Sequence, residues 1–129
     1  MMRIVTLCLS ACMLAVPAAA QQFMGEYFTS IQAEDMRNSR GQPLSDFCAI
    51  VQQDRANYHR FGVRHQGDQG DPFFGSREMR ARIAGSCHLM SGSEYVAEWV
   101  LTGRPRYIWV RIFGVNGVPT ALWISEGAG

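Results

Sequence analysis

Hydrophobic residues recur at helical spacing between residues 44 and 61. Leu44, Phe47, Cys48 and Val51 follow the i, i+3, i+4, i+7 template, and the pattern continues at Tyr58 after a polar Arg55. Residues with this spacing share one face of an α-helix. The pattern therefore predicts one main amphipathic helix over about 44–61, with Ser45 as its N-cap and Gly62 just beyond its end.

The last third of the chain has a different pattern. Residues 95–101 and 107–115 are rich in aromatic and β-branched side chains, which is typical of strands. Asn116-Gly117 follows the second segment, and this dipeptide is the strongest short-range signal for a two-residue type I′ turn. The sequence therefore predicts a C-terminal β-hairpin over about 107–125.

Counting outwards from the predicted turn sets the register of the hairpin. Phe113 then pairs with Thr120, and Arg111 pairs with Leu122. Both faces of the hairpin become largely apolar, so we expect both to be covered. The tryptophans Trp99, Trp109 and Trp123 are expected in the core, or alternatively along a carbohydrate or peptide groove.

Shorter signals complete the predicted architecture. Residues 21–30 indicate a strand or an ordered arm, and residues 38–43 contain four turn-forming residues. Ser76 is placed to cap a short helix over 77–84. The predicted fold class is α+β, with the main helix packed on a small, mostly antiparallel sheet.

Residues 1–20 have the pattern of a cleavable secretory signal. Arg3 precedes an uncharged apolar run, Ile4 to Val16, and Ala18-Ala19-Ala20 offers the small residues that a signal peptidase requires. The run is shorter than the roughly 20 residues that span a bilayer. We expect a mature chain of residues 21–129, forming one small domain that is periplasmic or secreted.

A second interpretation of the same segment is a lipoprotein signal. Leu9-Ser10-Ala11 places small residues before Cys12, as in the segment that precedes a lipid-modified cysteine. The mature protein would then be anchored through Cys12. The uncharged stretch before that cysteine is only eight residues long, Ile4 to Ala11, and the apolar run continues past it to the better-placed site at Ala20.

Two cysteines, Cys48 and Cys87, lie in the expected mature chain. An even number of cysteines in an exported protein is most simply explained by a disulfide. No C-x-x-C motif indicates a redox pair. The sequence predicts a Cys48–Cys87 bridge.

Charge is balanced in the mature chain. Residues 21–129 contain 11 arginines, no lysine and 11 acidic residues. This balance gives no electrostatic reason to expect nucleic-acid binding. We also expect no transmembrane segment in the mature chain, and a partner that is an unidentified protein or small molecule of the cell envelope.

The densest group of polar residues spans the end of the main helix and the glycine-rich segment 62–75. A ligand-binding site is predicted there, formed by Arg55, His59, His65, Asp68 and Asp71. The spacing matches neither H-E-x-x-H nor a calcium loop, so we expect no metal and no cofactor.

These observations favour a small exported binding or interaction domain without enzymatic activity. The alternative is a small envelope hydrolase or a metal-dependent enzyme that uses the histidines and aspartates of the same loop. No nucleophile elbow, zinc motif or phosphate-binding loop supports that alternative. Convergence of the side chains on a cleft would separate the two hypotheses.

Overall fold

The computed structural model describes residues 14–15 and 20–127. Almost all of the predicted signal segment, including Cys12, lies outside these residues. Cleavage after Ala20 and anchoring through Cys12 therefore both stay predictions.

Within the described residues, the chain forms four strands and three α-helices. The sheet has the order β1-β3-β4-β2; β1 and β4 both run antiparallel to β3, and the short β2 runs parallel to β4. The predicted α+β class and the C-terminal hairpin are confirmed. The elements are β1 (Gln22–Ile31), α1 (Phe47–His59), α2 (Arg77–Ala81), β2 (Cys87–Leu89), α3 (Glu94–Leu101), β3 (Arg106–Val115) and β4 (Val118–Glu126).

One face of the sheet packs against α1 and α3 to form the core. Alternate residues of β3 are buried while their neighbours are half-exposed, as expected for a strand with one covered face. Removing these side chains from water drives the packing of the helices on the sheet. The core includes Ile50 and Val51 from α1, Val96 and Val100 from α3, and Ile108, Val110, Ile112, Leu122 and Ile124 from the hairpin.

Helix α1 begins later than predicted. Asp46, not Ser45, is the N-cap, and its carboxylate accepts a hydrogen bond from the backbone N–H of Ala49. Leu44 lies before the helix. The helix ends at His59, two residues before the predicted end. Gly62 takes a positive φ of 67° just beyond it, as predicted.

The buried face of α1 is apolar only in its first half. Ile50 is buried where the predicted pattern had Cys48, which is half-exposed. One and two turns further along, the same face presents Asp54, Arg55 and Asn57 to the interior. The apolar pattern alone therefore places the face incorrectly by part of a turn.

The predicted type I′ turn is confirmed. Asn116 and Gly117 have φ values of 52° and 77°, and Val115 pairs with Val118. The register beyond the turn is wrong by one residue, because Phe113 pairs with Ala121 and not with Thr120. A bulge between Phe113 and Gly114 absorbs the extra residue.

No described helix covers the second face of the hairpin, so the expectation of two covered faces is wrong. On this face Trp109 is half-buried and Trp123 is 37% exposed. Phe28 of β1 stacks on Trp109 with ring centroids 5.7 Å apart, and Phe23 makes an edge contact with Phe113. Ring contacts, rather than a second layer, provide the burial here.

Residues 94–101 form helix α3, although their composition is typical of a strand. Val96 and Val100 are four positions apart and fully buried, while Glu94 and Glu98 share the opposite, exposed side. Burial at helical spacing outweighs β-propensity in this segment. The short helix capped by Ser76 is confirmed, but it ends at Ala81.

The disulfide between Cys48 and Cys87 is confirmed. It connects the first turn of α1 to the first residue of β2, with Cα atoms 5.7 Å apart. This separation lies within the usual range of about 4.4–6.8 Å. The bridge therefore fastens the main helix to the edge of the sheet.

Candidate functional site

The five residues predicted as a site lie in two linked clusters around β1. Arg55 is fully buried on α1 and is the centre of the first cluster. Its guanidinium donates to Asp54 Oδ2 at 2.8 Å, to Asp71 Oδ2 at 2.9 Å, to the carbonyl of Gln69 at 3.0 Å and to Thr29 Oγ1 at 3.2 Å. Charged hydrogen bonds of this kind are among the strongest in a protein.

Two tyrosine rings enclose the same guanidinium. The Arg55 Cζ atom lies 3.9 Å from the centroid of the Tyr27 ring and 4.8 Å from that of Tyr58. Cation–π contacts are strongest where water is excluded. Burial raises the pKa of Tyr27, so its phenol stays neutral beside the arginine. The contacts of the Arg55 guanidinium are thus made within the protein.

Asp71 connects Arg55 with His59. Its Oδ2 atom accepts from Arg55 and lies 2.8 Å from His59 Nε2, and its Oδ1 atom accepts from the backbone N–H groups of Phe73 and Phe74. Burial opposes ionisation of this carboxyl, but the hydrogen bonds from His59, Arg55 and Phe74 lower the pKa of Asp71 below its usual value. Asp71 therefore stays ionised in the interior.

His65 and Asp68 form the second cluster. Asp68 Oδ2 accepts from the backbone N–H of His65, and Oδ1 accepts from the backbone N–H of Ser30, both at 2.7 Å. His65 Nε2 lies 3.2 Å from Glu34 Oε2. Thr29 Oγ1 joins the clusters, since it lies 2.8 Å from Asp54 Oδ1 and 3.2 Å from Asp68 Oδ1.

The structure therefore brings the predicted residues together in hydrogen-bonded clusters that hold the loop 62–75 in place. Both carboxylates of that loop, Asp68 and Asp71, accept bonds from the backbone and from α1 or β1. Among the described residues, no three His, Cys, Asp or Glu side chains are arranged to hold a metal ion. A ligand-binding role for the five residues stays a prediction.

Asp54 is a buried carboxyl whose charge is only partly compensated. One guanidinium, that of Arg55, lies between Asp54 and Asp71, and Asp71 also receives the hydrogen bond from His59. Burial raises the pKa of Asp54 to about 7, and the charge of Arg55 opposes this shift only in part. Asp54 therefore carries a proton in mildly acidic solution.

This proton predicts a pH-dependent stability. An aspartate in the unfolded chain has a pKa of about 3.9, so folding takes up a proton between about pH 4 and pH 7. The free energy of unfolding should fall as the pH rises through this window, by up to about 1.4 kcal/mol per pH unit. Urea unfolding across this range measures the slope.

Asp54→Asn is the matched control, because asparagine copies the shape of the protonated carboxyl. This variant should lose most of the slope and keep the smaller part due to Asp35, whose pKa burial also raises. Below about pH 4 the lowered pKa of Asp71 predicts the opposite sign, with stability lost as the pH falls. Equal slopes in the two proteins would contradict the assignment to Asp54.

A cleft on the other side of α1 was not predicted from the sequence. It has a volume of about 400 Å³ and lies between α1, the loop 38–44 and α2. Its floor is one face of α1. Two residues of that face are alanines, whose short side chains let the cleft reach close to the helix backbone. The floor residues are Ala49, Gln52, Gln53 and Ala56 of α1, together with Arg60 just beyond its end.

The wall formed by the loop 38–44 is held in place by Asn38. Its Oδ1 atom accepts from the backbone N–H groups of Arg40 and Gln42, and its Nδ2 atom donates to Gln42 Oε1. Leu44, at the end of the loop, bonds back to the carbonyl of Met36. Side-chain bonds to nearby backbone groups order such turns. The wall is therefore set before any ligand arrives.

Three arginines, Arg60, Arg77 and Arg80, line this arginine cleft. No described residue of its lining is acidic, and within the described residues none of the three has a carboxylate within 4 Å. Arg80 is only 5% exposed. One terminal nitrogen of its guanidinium donates to the carbonyls of Phe74 and Gly75. Burial lowers the pKa of Arg80, and the charges of Arg60 and Arg77 lower it further.

A second, smaller cavity adjoins the arginine cleft. Its volume is about 220 Å³, and the two share Asn38, Ser39, Gln53 and Phe61. Glu34 lies in the lining of the second cavity but not in that of the first. Because both linings contain Gln53 from α1, the two cavities lie side by side along the helix, and we call the pair the groove along α1.

The aromatic face of the sheet is the other exposed feature. Phe28 stacks between Tyr107 and Trp109, with interplanar angles of 20° and 6°. Rings that stack on one another in this way present edges rather than open faces to a ligand. Within the described residues, no helix is long and apolar enough to cross a membrane.

Comparison with protein-family models, curated proteins and solved structures finds no match to this chain. The functional argument therefore depends on the geometry of the chain's own residues.

Proposed function

We propose that this chain is a small exported binding domain whose arginine cleft binds an anionic ligand. One observation carries the proposal: three arginines line a cleft of about 400 Å³ that contains no acidic residue among its described lining. Like charges brought together destabilise the protein on their own. A bound anion would relieve this repulsion.

The residue types suit a carboxylate or a phosphate group. A guanidinium offers a planar fork of N–H donors that matches two oxygen atoms of such a group. Arg60 and Arg77 are exposed and able to move towards a ligand, while the bonds of Arg80 to two carbonyls hold it in the cleft. The cleft thus combines one fixed arginine with two adaptable ones.

The export part of the proposal rests on residues 1–20 and is consistent with the disulfide. A bridge such as Cys48–Cys87 forms and persists mainly in oxidising compartments. The alternative, a hydrolase or metal-dependent enzyme built on His59, His65, Asp68 and Asp71, has less support because the oxygen atoms of both aspartates already accept bonds from the protein.

Binding of citrate and of inorganic phosphate to the purified mature chain tests the cleft. Arg60→Gln together with Arg77→Gln should weaken binding by at least about tenfold, since each lost charged hydrogen bond costs about 1.5 kcal/mol or more. Isothermal titration calorimetry at constant ionic strength gives the affinities. Both arginines are exposed, so the fold should be retained.

The matched control replaces two exposed arginines outside the cleft, Arg82→Gln with Arg104→Gln. It removes the same net charge and should change the affinity by less than about twofold. Equal weakening in the two double variants would show that net charge, not the cleft, attracts the anions. Absence of binding to the unmodified protein would overturn the proposal.

A further inference from the structure

The charge of the groove along α1 changes sign from one end to the other. Arg60, Arg77 and Arg80 lie in the arginine cleft, and Glu34 lines the adjoining cavity. The side chain of Glu34 is 57% exposed, and its contact among the described residues is that of Oε2 with His65 Nε2 at 3.2 Å. A ligand that fills the groove therefore meets cations at one end and a carboxylate at the other.

The middle of the groove is polar but uncharged. Gln53 donates from Nε2 to Asn57 Oδ1, and the side-chain Oε1 atom of Gln53 has no hydrogen-bond partner among the described residues. The side chain of Gln52 likewise makes no hydrogen bond within the part of the chain that the structure describes. Amide side chains both donate and accept, as the peptide group does.

One apolar wall accompanies these amides. Phe61 contributes to both cavities, and the residue is 47% exposed. Arg60 lies over its ring at 5.0 Å from the centroid, which keeps the ring beside the cationic end. An apolar side chain of a ligand could pack on this ring while the polar backbone of the ligand follows the amides.

We infer that the ligand of the groove is a short peptide with a free carboxylate and a free ammonium group. The carboxylate binds at the three arginines, the peptide groups follow Gln52 and Gln53, and the ammonium group binds Glu34. This inference rests on the proposed function, because it assigns the anion of the arginine cleft to the C-terminus of the peptide. Opposite charges at the two ends also fix the direction in which the peptide lies.

Calorimetric titration with Ala-Ala-Ala and its two capped forms tests the inference. The N-acetyl form lacks the ammonium group and the C-amide form lacks the carboxylate, and each should bind at least about tenfold more weakly than the free tripeptide. Glu34→Gln should remove the difference between the free and N-acetyl peptides and keep the preference for a free carboxylate. Its exposure predicts an unchanged melting temperature.

Glu98→Gln is the matched control, because Glu98 is exposed on α3 and lines neither cavity. This variant should keep the preference for the free ammonium group. If citrate and phosphate bind but the free and N-acetyl peptides bind equally, the peptide assignment is overturned and the anion site stands. If neither the anions nor the peptides bind, both proposals are overturned.

Discussion

Replacing Arg55 by methionine is expected to lower the free energy of unfolding by about 3–5 kcal/mol, the usual cost of leaving a buried charge without its partner. Methionine fills much of the volume but supplies no donor. Asp71 keeps its contact with His59 but loses the hydrogen bond from Arg55. Asp54 loses the guanidinium beside it, and Thr29 loses a donor. Urea-induced unfolding, followed by circular dichroism, measures the loss.

The expected loss is large because Arg55 joins three separated parts of the chain. Its partners lie on β1, on α1 itself and on the loop 62–75. That loop is glycine-rich and charged, and its apolar burial is concentrated at Phe73 and Phe74 near its end. Hydrogen exchange should therefore show faster opening of the loop in the variant than in the unmodified protein.

Arg64→Met is the matched control for the same substitution. Arg64 is exposed and lies over the Tyr58 ring, 4.3 Å from its centroid, yet it has no carboxylate within 4 Å among the described residues. Its replacement should cost about 1 kcal/mol or less. Adding Asp54→Asn to Arg55→Met should recover part of the loss, because Asp54 without Arg55 must take up a proton on folding and asparagine need not. Equal losses for the Arg55 and Arg64 variants would contradict the buried network.

The sequence predicted the hairpin turn but not the register beyond it. Asn116-Gly117 determines the turn locally, because both residues take a positive φ. The bulge depends on a contact between strands: a Cβ atom at Gly114 would collide with the backbone carbonyl of Val118 and with Met24. Residues from three strands make this contact, so no local pattern reveals it.

The interior role of Arg55 was predictable, because an arginine on an apolar helix face must find partners there. The arginine cleft was harder to predict from the sequence. Arg60 follows directly after α1, but Arg77 and Arg80 come from a helix that follows after a loop of more than a dozen residues. Only tertiary packing brings these charges together. Alanines at 49 and 56 are the one local signal, since they leave an open strip along the helix.

Removal of the disulfide by Cys48→Ala with Cys87→Ala is expected to lower the free energy of unfolding by about 4 kcal/mol. The two cysteines are 39 residues apart. Closing a loop of that length lowers the conformational entropy of the unfolded chain, which is worth about 4 kcal/mol of stability. The enclosed segment contains α1, the loop 62–75 and α2, so the bridge restrains every element that borders the arginine cleft except the loop 38–44.

Adding a reductant to the unmodified protein should reproduce most of this loss, and the double alanine variant should not respond to the reductant. That insensitivity is the control, because it separates the bridge from other effects of the reductant. Thiol titration of the denatured, unreduced mature protein should find no free thiol, and its intact mass should correspond to a chain that begins at Gln21 without lipid. The stability of this small fold is expected to depend on the disulfide. Two free thiols in protein recovered from the cell envelope would contradict this expectation.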